Sequence, residues 1–148
     1  MLGISLVLAV AIAFQIDAPT QEQLQELVQR AGNTDDDEER LELLRQIRAL
    51  PGVDPDLAEH AEKLIRFVEQ WVEGKNLHFY GGEVNQNRDI DFGIPATSPL
   101  YPLTYLYRGR AVLSVVMENG NLWSYGDRRR EWFGIARQFF EKAHQAFP

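Results

Sequence analysis

Apolar residues recur every three or four positions through residues 21–73, which is the period of amphipathic helices. Gly32-Asn33 and Pro51-Gly52 interrupt the pattern and Gly74 ends it, so the region divides into three helices. The apolar positions are Leu24, Leu27 and Val28; Leu41, Leu44 and Ile47; and Leu57, Ala61, Leu64, Val68 and Trp71. Because the connections are short, the pattern predicts a small bundle of antiparallel helices.

The starts of these helices carry capping signals. Thr20 with Gln23 fits a capping box, and Asp54-Pro55 places a good N-cap residue before a proline at the first helical position. The acidic run Asp35–Glu39 opens the second helix. Carboxylates stabilise the N-terminal end of a helix dipole, so we interpret this run as a helix start rather than a cation site.

The composition changes between Lys75 and Gly126, where Gly, Asn, Pro and aromatic residues are frequent. The stretch "LTYLYRGRAVLSVVME" combines β-branched and aromatic residues, which favour strands. Arg108-Gly109-Arg110 either turns a hairpin or forms a bulge at Gly109, and Val112–Met117 reads as a buried strand. Asn119-Gly120 is a second turn signal, followed by a short strand in "LWSYG".

A final helix is predicted from Asp127, its cap, to about Ala146. Its buried side comprises Trp132, Ile135, Ala136, Phe139, Phe140 and Ala143. The predicted fold class is therefore α+β and mainly helical. An N-terminal helical bundle (21–73) precedes a small antiparallel strand region (75–126), and the C-terminal helix (127–146) packs back on the core.

The N-terminal segment predicts the compartment. Leu2–Ala13 is apolar and uncharged, and it ends in the small-residue patterns Ala9-Val10-Ala11 and Ala11-Ile12-Ala13. It is shorter than the roughly 20 residues that span a bilayer, and it is typical of a secretory signal peptide, although the positive residues that usually begin one are missing. The alternative is a buried first strand or helix. We expect export to the periplasm or the cell exterior with cleavage near Ala13, so that 14–148 forms one domain and no stable membrane span remains.

Composition narrows the classes of function. The formal net charge is -7, so repulsion from phosphate backbones argues against nucleic-acid binding. The basic run Arg128-Arg129-Arg130 is interpreted as a solvated helix face. The chain has no cysteine, which excludes disulfides, zinc–thiolate sites and cysteine nucleophiles.

The chain carries no recognisable catalytic motif. His60, His78 and His144 lie far apart without metal-binding spacing, and no nucleophile elbow, phosphate loop or dinucleotide fingerprint is present. Asp89 and Asp91, with Glu83 nearby, form an acidic pair on a predicted loop. Two such carboxylates could serve acid–base chemistry or bind a hard cation, but on loops they more often make turns and local hydrogen bonds. We therefore predict no catalytic residue, no metal site and no cofactor.

Aromatic and basic residues in the strand region form the candidate binding set. Aromatic rings stack on the apolar faces of sugar rings, although at strand positions they more often pack across strands. Arg108 and Arg110, which flank the predicted turn, are the expected exposed cations and can pair with an acidic glycan or with Asp and Glu. The candidate ligand-binding residues are Tyr80, Tyr105, Arg108, Arg110, Trp123 and Tyr125.

Two resemblances to known families concern the second half of the chain. The helix "ARQFFEKAHQAFP" is similar to the second helix of a tetratricopeptide repeat, with Ala136, Phe140, Ala143 and Pro148 at the matching positions. The first helix of such a repeat is absent from the sequence before it. "SPLYPLTYLYRGR" followed by "RRREWFGIARQFFEKAHQAFP" resembles the region before the catalytic core of large bacterial heparinase II/III-like proteins.

The second resemblance implies an exported protein that degrades polysaccharide. The family's lyase core is an α/α toroid with β-sandwich domains and cleaves acidic polysaccharides by β-elimination beside a uronate. Its catalytic tyrosine and histidine lie in that core, so no residue role is carried over to this chain. Family members are several hundred residues long, so the resemblance implies that this chain is a fragment of a longer protein.

Three hypotheses follow. The first is a non-catalytic N-terminal module of an exported polysaccharide-degrading protein, whose partners are acidic polysaccharide or the rest of a larger polypeptide. The second is a helical protein-interaction module with a groove between Leu57–Trp71 and Trp132–Phe147. The third is a small carbohydrate-binding domain that exposes at least two of its candidate aromatic side chains on one surface.

Overall fold

The computed structural model describes residues 21–74, 87–118 and 126–148. These residues form five helices: α1 (21–33), α2 (Asp37–Ala49), α3 (Pro55–Val72), α4 (Tyr101–Glu118) and α5 (Gly126–Ala146). Residues 1–20, 75–86 and 119–125 lie outside the described residues. The proposed signal segment, the predicted Thr20 cap, the Asn119-Gly120 turn and the "LWSY" strand fall among them.

The first three helices lie where the apolar stripes and stop signals place them. Asp54 caps α3 as predicted, because its carboxylate accepts the backbone N–H groups of Asp56 and Leu57 and Pro55 takes the first helical position. Asp36 caps α2 in the same way. The acidic run therefore begins a helix, and Asp37, Glu38 and Glu39 occupy its first turn.

The predicted α+β fold is wrong, because the residues that the structure describes contain no strand. The predicted Arg108-Gly109-Arg110 turn and the Val112–Met117 strand both lie inside the 18-residue helix α4. Residues Leu100, Leu103, Tyr107, Ala111 and Val115, spaced by three or four, are all buried. This helical period prevails over the β-propensity of the valines and tyrosines, because strand propensity depends strongly on packing context.

The main hydrophobic core joins four helices and the C-terminus. Helices α2 and α3 pack on each other, and Ala31 of α1 and Leu103 of α4 are buried in the same cluster. Phe67 lies against Phe92 and Tyr107, with ring centroids 4.6 and 5.4 Å apart.

Helices α4 and α5 form a closely packed hairpin around a second, smaller cluster in which Val112, Val115 and Ala136 are buried. Gly109 makes this approach possible, because a Cβ atom there would lie 2.9 Å from the Phe140 ring. The predicted last helix is confirmed, but Asp127 lies inside it rather than capping it, because the helix already includes Gly126. Of its predicted buried side, Ala136 and Ala143 are buried.

The C-terminal Phe147 is held against α1. It is buried in the main core, and a Cβ atom on Gly32 would lie 2.2 Å from its Cγ atom. Gly32→Ala is therefore expected to displace the ring and lower the free energy of unfolding by about 1–2 kcal/mol, because the lost burial exceeds the gain in helix propensity. Urea denaturation measures this change.

Gly134→Ala is the matched control, since a Cβ atom at that helical position meets nothing within 4 Å. It should raise the free energy of unfolding by up to about 1 kcal/mol. In a Phe147→Ala background, Gly32→Ala should lose its cost. If the cost persists there, the ring contact is not its cause.

Candidate functional site

A buried polar cluster links α4 to the N-terminal helices. The Arg40 side chain is 1% exposed, and its Nη1 donates to Asp37 Oδ1 at 2.5 Å and to the Tyr107 hydroxyl at 3.1 Å. Its other nitrogens donate to the carbonyl oxygens of Ala31 and Thr34. All the guanidinium nitrogens therefore have partners, as a buried charge requires.

Asp37 accepts hydrogen bonds from three side chains in this cluster. The Tyr107 hydroxyl donates to its Oδ1 at 2.9 Å, and Arg110 Nη1 lies 2.7 and 2.9 Å from its two oxygens. Two guanidinium groups thus surround one carboxylate. Arg110, one of the two cations predicted to be exposed, is half-buried and serves to attach α4 to α2.

Arg108 lies on a different side of α4, because residues two apart point in divergent directions on a helix. Its Nη2 donates to the Ile90 carbonyl at 3.0 Å, and its guanidinium lies over the rings of Phe92 and Tyr101, 5.5 and 5.7 Å from their centroids. Arg108 is half-buried and fixes the 87–100 segment against α4.

Three half-buried rings, Tyr101, Tyr105 and Phe139, form a surface that we call the aromatic strip. Tyr105 meets Tyr101 edge to face at 5.3 Å and stacks with Phe139 at 6.2 Å and 26°. The exposed Lys142 places its ammonium 5.3 Å from the Tyr105 centroid and 6.0 Å from that of Phe139. The ion pairs among the described residues give Lys142 no carboxylate partner.

An open groove of about 640 Å³ runs between α1, the start of α4 and the end of α5. It is lined by Gln21, Leu24, Gln25, Val28, Gln29, Pro99, Pro102, Ala146 and Phe147. Gln29 Nε2, which lines the groove, donates to the Pro148 carbonyl at 3.0 Å. Pro102 and Ala146 lie one helical turn from Tyr105 and Lys142, so the aromatic strip lies next to the groove.

The other candidate residues make local contacts or lie outside the described residues. Asp91 Oδ1 accepts the Gly93 N–H at 2.8 Å in a local turn, and the exposed Asp89 pairs with Arg88. No group of three or more His, Asp or Glu side chains suited to a metal ion occurs within 21–74, 87–118 and 126–148. The candidates Tyr80, Trp123 and Tyr125, together with His78 and Glu83, fall in the segments that the structure leaves undescribed.

His60 and Ser98 form a contact that sequence reasoning missed. His60 Nδ1 lies 3.1 Å from Ser98 Oγ, which also accepts the Leu100 N–H at 3.3 Å. Ser98 is buried, 6% exposed, in the turn that precedes α4. The pair therefore fixes this turn and offers no accessible nucleophile.

Known proteins provide no assignment for this site. No protein-family model matches the chain, and neither a curated protein nor a solved structure is significantly similar to it. Among the described residues, no helix is both long enough and apolar enough to cross a membrane.

Burial raises the pKa of Tyr107 well above its ordinary value near 10, although the nearby Arg40 charge acts in the opposite direction. Above pH 10 the unfolded chain loses this proton while the folded chain keeps it, so the free energy of unfolding falls as the pH rises. Tyr107→Phe should make this alkaline decline in the free energy of unfolding shallower by up to about 1.4 kcal/mol per pH unit.

At pH 7 the same substitution should cost about 1–2 kcal/mol, because Asp37 loses a donor inside the cluster. Urea denaturation of both proteins between pH 7 and 11.5 measures both effects. Tyr105→Phe is the control, since that half-exposed phenol is outside the cluster. Equal alkaline slopes for wild type and Tyr107→Phe would contradict the argument.

Proposed function

We propose that this chain is a non-catalytic module of an exported polysaccharide-degrading protein and that it binds acidic polysaccharide along the groove and the aromatic strip. One observation carries the proposal: the stacked Tyr105 and Phe139 rings lie beside an exposed lysine at the end of an open groove. The resemblance of Ser98–Pro148 to heparinase II/III-like proteins supports the polysaccharide class.

The groove suits a sugar chain in its chemistry. Sugar rings present apolar C–H faces, which pack on aromatic rings and prolines, and hydroxyl groups, which need hydrogen-bond partners. The aromatic strip and the groove prolines supply apolar surface for the C–H faces. The amides of Gln21, Gln25 and Gln29 supply donors and acceptors for the hydroxyl groups. A volume of about 640 Å³ falls within the usual range of small-ligand sites.

Lys142 favours a sugar that carries a carboxylate. Its ammonium has no carboxylate partner among the described residues, so a uronate can pair with it without breaking an existing ion pair. The net charge of -7 opposes long-range attraction of a polyanion. Binding therefore depends on short-range stacking and this one cation.

The groove lining explains the non-catalytic part of the proposal. β-Elimination removes a carbon-bound proton, which requires a positioned general base. The residues that line the groove are glutamines, prolines and apolar side chains, and none of them titrates. The groove itself therefore supplies no group for proton transfer, and the proposal assigns the aromatic strip to stacking and Lys142 to pairing with a uronate.

Titration with uronic-acid oligosaccharides, followed by amide chemical shifts, tests the site. We expect binding in the millimolar range that shifts the amide resonances of α1, α4 and α5. Tyr105→Ala should weaken this binding by about tenfold, because stacking area is lost. Lys142→Gln should weaken uronate binding several-fold while leaving a neutral oligosaccharide of equal length unaffected.

Lys63→Gln is the matched control, because Lys63 is a lysine on α3 that pairs with Glu59 away from the groove. It should bind like wild type. Shifts confined to other surfaces would contradict the site, and no binding would contradict the carbohydrate class. Ultraviolet-absorbing unsaturated uronate released by the purified chain would contradict the non-catalytic assignment.

Export is tested through the N-terminus of the recovered protein. Expressed with residues 1–148 in a bacterium with a general secretory pathway, the chain should be recovered outside the cytoplasm and begin near Phe14. Leu8→Arg should keep it uncleaved, because a charge interrupts the apolar segment. Intact-mass measurement of the protein in the cytoplasmic and the exported fractions shows whether the segment has been removed. Uncleaved wild type in the cytoplasm would contradict export.

A further inference from the structure

The α4–α5 hairpin carries a second apolar depression. A hollow of about 450 Å³ is bordered by residues that we call the hairpin face: Leu113, Phe133, Arg137, Phe140, Glu141 and His144. Phe133 is 38% exposed, which is a large exposed fraction for a phenylalanine on a helix. Lys142 follows Phe133 by about two and a half helical turns, so the hairpin face and the aromatic strip lie on opposite sides of α5.

The charges on the hairpin face are complementary to themselves. Arg137 Nε pairs with Glu141 Oε1 at 2.7 Å, and their side chains are 80% and 53% exposed. Both flank the same side of the apolar row formed by Phe133 and Phe140. In two antiparallel copies of α5 related by a twofold axis between these residues, each arginine faces the other copy's glutamate.

We propose that two copies of this chain pair through the hairpin face, with their α5 helices antiparallel. The two hairpins then form a four-helix bundle in which Phe133 and Phe140 of both copies are covered. Helix α5 has 21 residues and is about 30 Å long, which gives a contact of several turns. The isologous geometry repeats every contact twice, so it makes two ion pairs between copies.

Charge reversal tests the pairing directly. Wild type should show a concentration-dependent monomer–dimer equilibrium in sedimentation velocity. Arg137→Glu alone gives each copy two acidic residues on the hairpin face, and Glu141→Arg alone gives each copy two basic residues. Each variant alone should dimerise at least about tenfold more weakly, because like charges meet twice.

Mixing the two single variants should restore the dimer, because one copy is then acidic where the other is basic. Both single variants have lost the Arg137–Glu141 pair within one helix. Rescue by mixing therefore shows that the charges meet between copies. Phe133→Glu should abolish dimerisation. Val72→Glu is the matched control, since Val72 is 41% exposed on α3 and should leave dimerisation unchanged. Circular dichroism should show helical content equal to wild type in every variant.

Wild type that stays monomeric to millimolar concentration overturns the proposal. A dimer that the single reversals and Phe133→Glu leave intact also overturns it, because another surface then holds the copies together. Failure of the mixture to restore a dimer that both single variants have lost overturns the antiparallel register. A partner of different sequence that displaces the second copy would instead identify a hetero-complex at this face.

Discussion

The buried charge of Arg40 is the constraint on which the rest of the structure depends. Taking a guanidinium out of water costs several kcal/mol unless all its donors are paired. Its partners come from the end of α1, from the connection to α2, from Asp37 and from Tyr107 of α4. Helix α4 is anchored at this position, because movement away from it would take the Tyr107 hydroxyl from Arg40. The same movement would take the Tyr107 and Arg110 donors from Asp37.

This fixed position of α4 determines where the aromatic strip lies. Because Tyr107 and Arg110 point into the cluster, Tyr105 and Arg108 point to other sides of the same helix. Gly109 then lets Phe140 approach, and the close hairpin brings Phe139 and Lys142 of α5 to Tyr105. The aromatic strip thus follows from a polar contact on the opposite side of α4.

Sequence reasoning located the N-terminal helices and the last helix, because there the apolar period, caps and stop residues agree. It placed strands in α4, where β-branched residues and Gly109 conflict with a helical period that was also present. The partners of Arg40 were beyond its reach, since Tyr107 lies 67 residues away and local patterns carry no information about such pairs. Of the candidate site, Tyr105 could be named, but Phe139 and Lys142 needed the hairpin.

The two proposals place separate roles on the two sides of the α4–α5 hairpin. The aromatic strip and the hairpin face lie on opposite sides of α5, so pairing of two copies leaves both strips open. If both proposals hold, a paired particle carries two weak sugar sites. A polysaccharide long enough to reach both binds the second site at high effective concentration, whereas a short oligosaccharide does not. Weak binding at each single site is therefore compatible with tight binding to a polymer. The buried cluster that fixes α4 also fixes the positions of the aromatic strip and the hairpin face relative to each other.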